Sequence, residues 1–217
     1  MTPSKSMRIP WEVPPGISKR WASGKVTIVE MSDFECPFCR LLHKELTPML
    51  GAYEGKVHFV RLSVPLPSHK HARGASRAYT CARDQGKGEE IADALFVTDD
   101  LSESGWMKIA ESMSSKGLNL ETFRACVADP RTDARVGSEE SEARAIGFKG
   151  LPTMWIGRQS LLGAHPSAEI RQVIDKELSG AQLQNRVPAS YLWACLGGLG
   201  LLLAGYSLSG TGSVKKS

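Results

Sequence analysis

The feature that most constrains this chain is the position of its one CxxC motif. Cys36-Pro37-Phe38-Cys39 follows a short apolar run, Lys25 to Asp33, and opens a helical pattern. The run is rich in β-branched residues and predicts a buried central strand. Phe38, Leu41, Leu42, Leu46, Met49 and Leu50 recur at helical spacing, and Pro48 should kink or end that helix. Lys56 to Val64 reads as a second strand, so the three elements form a βαβ unit with a right-handed crossover. A sulfur at a helix start faces unpaired N–H groups and the positive end of the helix dipole. Both favour the thiolate, which is the nucleophile and the better leaving group. Cys36 is therefore expected to be the exposed, reactive sulfur. Cys39, one turn in, is expected to be more buried and to resolve mixed disulfides. A static disulfide and half a metal site are the competing readings. Zinc takes about four ligands, whereas Cys36, Cys39 and His43 offer three, so no metal is assigned. His43 is read as an ordinary helix-surface residue.

The 217 residues, 41% hydrophobic and 23% charged, suit a globular domain and exclude full-length disorder. A net charge of +4 without a basic stripe gives no reason to expect nucleic acid as a partner. Residues 1–24 read as a flexible lead-in rich in proline, with no apolar core of a secretory leader. After the second strand the helical signals run on. His69 to Gln85 favours helix, and Ile91, Leu95 and Phe96 mark another. Trp106, Ile109 and Met113 mark a third, with Gly117 as its stop. Asn119 is the expected N-cap of a fourth, and Pro130 to Ile146 gives a fifth. His69, Lys70 and His71 are read as a solvated helix start. Pro152 to Ile156 and Gln159 to Leu162 flank Gly157-Arg158, a two-residue hairpin signal. A last helix runs from about Pro166 to Leu178, with Gly180 as its stop.

Between Val187 and Val214 the chain carries no charge. Tyr191 to Leu208 spans about 27 Å as a helix, against a hydrocarbon core of roughly 30 Å. Tyr191, Trp193 and Tyr206 stand near its ends, as interfacial aromatics do. A transmembrane helix over 190–208 is expected, after a linker at 181–189 and before a short basic tail at 209–217. Ala194/Gly198 and Gly200/Ala204 are small-residue pairs suited to helix association.

The strand with its acid and motif (VEMSDFECPFC), the helical insertion and Gly150-Leu151-Pro152-Thr153 resemble the DsbA-like thiol:disulfide oxidoreductases. The resemblance covers about residues 25–180. It is similar to the branch found as modules beside membrane segments, including fusions to vitamin K epoxide reductase-like domains. It implies an α/β thioredoxin fold, with residues 25–66 and 147–180 as the core and 67–146 as the inserted helical lobe. It implies that Cys36 is the nucleophile and Cys39 its partner, with Pro37 and Phe38 between them, and that their disulfide is the only redox group, with no bound cofactor. Pro152 would be a cis-proline, with Leu151 and Thr153 beside it in contact with substrate. Glu30 would be a buried acid of raised pKa that shuttles the proton of Cys39. Cys81 and Cys126 would form a structural disulfide, closing a loop of about 45 residues worth about 4 kcal/mol at best. Two buried free thiols are the alternative. The chain departs from the family at Leu151, where a smaller or β-branched residue is usual. It departs again at Gly88-Glu89, where relatives carry an aromatic pair.

The expected function is a membrane-anchored oxidoreductase that forms disulfides in exported proteins. Its partners would be client proteins with cysteine thiols and a membrane redox partner, either a quinone-linked oxidase or a vitamin K epoxide reductase-like protein. The expected location is the inner membrane, single-pass, with the redox domain facing the periplasm or cell exterior. Three topologies fit: a piece of a larger membrane protein, insertion driven by the C-terminal segment, and a cytoplasmic tail-anchored domain. A reductase or isomerase with the same site, and a binding or assembly factor, are the alternative functions.

Overall fold

The structure, a computed structural model, describes residues 19–186. The expected span at 190–208, with Cys195, and most of the lead-in lie outside the described residues. Among the described residues no helix is long and apolar enough to cross a membrane.

The elements are β1 (Val26–Ser32), α1 (Pro37–Leu50), β2 (Val57–Ser63), α2 (Ala72–Arg83), α3 (Gly88–Val97), α4 (Glu103–Met113), α5 (Leu120–Ala128), α6 (Pro130–Ala145), β3 (Thr153–Ile156), β4 (Gln159–Leu162) and α7 (Ser167–Arg186). The sheet order is β2-β1-β3-β4. β1 pairs parallel with β2 and antiparallel with β3. Every residue of β1 is buried, as a central strand covered on both faces requires. One face packs Ile28 against Leu42 and Leu46 of α1 and Ile170 and Ile174 of α7. The other packs Val29, Met31 and Trp155 against Ala143 and Ile146 at the end of α6. The third cluster is the lobe itself, built from α2 to α5, and it takes in Phe34, Cys36 and Cys39. Burying one leucine-sized side chain contributes roughly 1.5–3 kcal/mol, so these clusters dominate stability.

The punctuation signals hold locally. Asn119 accepts from the Thr122 N–H, and Gly117 has φ +95°. Gly157 sits in the β3–β4 turn at φ +54°, where an added Cβ would lie 2.4 Å from Glu177 Oε2. Only glycine suits both demands. Pro48 falls in the last turn of α1, which ends two residues later. One stop is corrected: α7 runs through Gly180 to Arg186. A helical glycine costs about 1 kcal/mol against alanine, and the good helix formers that follow carry the helix on.

Candidate redox site

The site grows from the turn between β1 and α1. Cys36 is the N-cap of α1, with extended backbone (φ −71°, ψ 121°) and Pro37 as the first helical residue. Proline is favoured there because the first N–H has no helical partner to lose. The cap makes no side-chain hydrogen bond, but the free Phe38 and Cys39 N–H groups favour the anion of the Cys36 sulfur. The Cys39 thiol donates to the same sulfur. That bond is the largest influence drawing the Cys36 thiol down to about 6, against the opposing effect of burial. Cys39 moves the other way, raised first by its bond to Cys36 and then by burial, while Ser32 opposes the rise. The two thiols are present as a dithiol. One sulfur is thus a thiolate near neutral pH and its neighbour holds the proton.

Exposure follows the expected order but not the expected degree. Cys36 keeps 5% of its surface and Cys39 none. Phe34 and the lobe cover the rest of Cys36. Phe38 and Leu41, by contrast, stand out at 59% and 52% exposure and give α1 an apolar outer edge beside the sulfur.

The Leu151–Pro152 peptide is cis. Leu151 packs against the clusters on both sides, one of which holds Cys36 and Cys39. Thr153 is buried and donates its hydroxyl to the Gly150 carbonyl at 2.6 Å. The loop that carries these residues therefore packs against the cluster that takes in the dithiol.

Glu30 is fully buried, but it is not an isolated acid. Arg61 donates to Glu30 Oε2 from Nε at 3.2 Å and Nη2 lies 3.1 Å from the same oxygen. Arg61 also reaches Glu89 at 2.7 Å, and Glu89 faces solvent. Phe59 and Phe96 rings lie 5.2 and 5.1 Å from the guanidinium. Burial works against the charge of Arg61, but Glu30 and Glu89 outweigh it and raise its pKa. Sequence reasoning missed Arg61. The signal was present: two adjacent strands each carry one charge of opposite sign in an apolar run, and the parallel register sets Glu30 beside Arg61.

His43 is a correction. It is buried rather than on the helix surface. Its Nδ1 meets Thr47 Oγ1 at 3.1 Å, Nε2 meets Asp93 at 3.1 Å, and its ring stacks on Phe96 at 4.5 Å. Helical spacing placed it on the polar side, but α3 of the lobe covers that side. Burial, with Arg61, draws its pKa down to about 4. Both ring nitrogens are engaged, and among the described residues no group of three or more candidate ligands could hold a metal.

Cys81 and Cys126 form a disulfide with a Cα–Cα distance of 5.8 Å, joining α2 to α5. Thr132 sits beside both sulfurs and donates its hydroxyl to the Cys126 carbonyl at 2.7 Å.

Fold, inserted lobe, dithiol and cis-proline together define a thioredoxin-fold protein with a paired-thiol site at a helix start. A thioredoxin family model matches residues 22–176, and the chain belongs to that family. Among solved structures it is similar to a thioredoxin-like oxidoreductase from Silicibacter pomeroyi, with a TM-score of 0.62 and 27% identity over 71% of this chain and 87% of that one. The thiol-disulfide exchange protein alpha-DsbA2 from Wolbachia pipientis shares the fold at a TM-score of 0.60 and 18% identity, covering 71% of this chain and 82% of that one. Among curated proteins it resembles the Na(+)/H(+) antiporter NhaA 3 of Salinispora tropica, 28% identical over 161 residues. That match covers 73% of this chain and 24% of the antiporter, so the chain spans about a quarter of that relative's length.

Proposed function

We propose that the chain forms disulfides in exported proteins by exchange at Cys36 and Cys39, held at a membrane by residues 190–208. The observation that carries the reading is geometric: Cys36 caps α1 with a sliver of its surface open, Cys39 lies fully buried one turn in, and a cis Leu151–Pro152 peptide precedes β3. In the oxidised protein a client thiolate attacks the Cys36 sulfur. The Cys36–Cys39 bond breaks and Cys39 leaves, taking up a proton. A second client thiolate then attacks the client sulfur of the mixed disulfide. Cys36 leaves as its stabilised thiolate, and the client departs with its disulfide. Two electrons have passed from client to protein. A low leaving-group pKa speeds the last step and favours the reduced protein, which is the property of an oxidant. Glu30, buried against Arg61, is the acid we assign to carry the Cys39 proton. The exposed Phe38 and Leu41 edge suits an unfolded client, and the Leu151 backbone suits strand-like pairing with it. A membrane oxidase would then restore the disulfide.

The test is the equilibrium reduction potential of Cys36/Cys39 in glutathione buffers, read by alkylation mass shifts. A value toward about −120 mV supports an oxidant of exported proteins. A value near −270 mV overturns that direction and makes the site a reductase. Cys39→Ala should accumulate mixed disulfides with clients; a holding factor would bind them without a covalent bond. Alkaline carbonate extraction of the full chain tests the anchor: release into the soluble fraction overturns it.

A further inference from the structure

The turn that presents Cys36 is tied to the entrance of the lobe by a carboxylate with no part in the exchange step. Asp33 is fully buried. Its Oδ1 accepts from the Glu35 N–H at 2.7 Å, and its Oδ2 accepts from the Leu66 N–H at 2.8 Å. The same Oδ2 lies 2.7 Å from His69 Nδ1. A carboxylate that takes two N–H bonds has only acceptors to offer, so the imidazole is the donor. The Asp33 carbonyl also accepts the Cys36 N–H at 3.2 Å. Thus one residue fixes the turn on one side and residues 66–69 on the other.

We propose that Asp33 and His69 are a positioning pair that holds the Cys36 turn and sets how readily Cys36 forms its thiolate. The proposal deepens the exchange reading and rests on Cys36 being the reactive sulfur. Asp33 is a negative charge on the turn that carries the thiolate, and its field opposes that second charge. The bond from His69 draws charge density from the carboxylate and weakens that opposition. Two of the other charged groups near the turn are committed elsewhere. Glu35 accepts from the His71 and Ala72 N–H groups at 2.7 and 3.0 Å. Arg40 donates to the Phe34 and Thr98 carbonyls at 3.2 and 2.8 Å. Lys70 and His71 follow His69 in the chain, and Cys39 is the remaining titratable neighbour. His69 keeps 22% of its side chain exposed, so it can be replaced without opening the core.

The experiment follows the rate of Cys36 alkylation by iodoacetamide against pH, on the reduced full chain, with the site confirmed by mass. Asp33→Asn keeps an acceptor for the Glu35 N–H and loses the charge. It should move the midpoint of the profile down by about half a pH unit, a roughly threefold gain in thiolate below the midpoint. His69→Ala should move it up by a similar amount. His69→Asn, which restores a donor, should return it close to wild type. A purely structural role predicts lower stability with no opposed shifts. The proposal is overturned if His69→Ala leaves the midpoint within about 0.2 pH unit of wild type, or if His69→Asn fails to restore it. Should Asp33→Asn not fold, the two His69 variants decide alone. The assay uses no client and no redox partner. A reductase-like potential would end the oxidase reading and leave this result standing.

Discussion

The two cysteine pairs border one apolar cluster and differ in state: one is a dithiol, the other a disulfide. Cys36, Cys39 and Cys81 all belong to the cluster built around the lobe, and Cys126 packs against it. Shared burial therefore does not separate the dithiol from the disulfide. Position on the helix does. Cys36 caps α1, where N–H groups without helical partners turn toward its sulfur. Cys81 and Cys126 lie inside α2 and α5, where the N–H groups are spent on the helices, and the two sulfurs meet each other instead. The surroundings differ too. Ser32, Asp33 and the Glu30–Arg61 pair stand on or beside the strand and turn that lead to the dithiol, while the disulfide has one threonine hydroxyl for polar company. A thiol becomes reactive where polar groups can stabilise its anion, even in a largely apolar setting.

The largest effect should come from removing the capped sulfur. Cys36→Ser should abolish thiol oxidation of a reduced client, while the double variant Cys81→Ala/Cys126→Ala should retain it in the folded protein. Equal losses in a turnover assay would erase the distinction between the pairs. Next in size, Arg61→Leu strands the buried Glu30 carboxylate, and urea unfolding should show a loss of about 3–5 kcal/mol. Opening the lobe cross-link in the double alanine variant should cost about 2–4 kcal/mol, because the loop of 45 residues is no longer closed in the unfolded chain. A loss no larger than that of a surface substitution would mean that the lobe is held by packing alone. The last effect is a pH dependence belonging to the dithiol only. The Cys36 thiol sits at about 6 in the folded protein against an ordinary 9.0. An acid whose pKa is lowered by folding adds stability that is complete above pH 9 and lost as pH falls through 6. The oxidised protein has no such thiol. Thermal melts should therefore show the dithiol form gaining on the disulfide form between pH 6 and 9. Cys81–Cys126 is kept closed throughout and checked by mass. A flat difference would show that Cys36 is not held as a thiolate.

Much of this contrast was readable from residue order. Strand, CxxC, helix and strand in close succession specify the βαβ start, because apolar periodicity and N-terminal proline act locally. The Asn119 cap, the Gly117 stop and the Gly157-Arg158 hairpin were legible for the same reason. His43 was misplaced because one helix's periodicity does not say which neighbour covers its polar side; the lobe does. Gly180 was misread as a stop because a glycine weakens a helix without ending it.

The sequence by itself determined that a CxxC would stand at a helix start after a buried strand, and that a helical lobe would interrupt the core. Those are short-range facts, set by spacing, capping and backbone preference. The tertiary structure alone decided that Arg61 would answer Glu30 across two strands, and that His69 would reach back 36 residues to Asp33. It also decided how far Cys36 would be covered. Each depends on which surfaces meet once the sheet and lobe have closed, since buried charges are tolerated only where a distant partner arrives to pair with them.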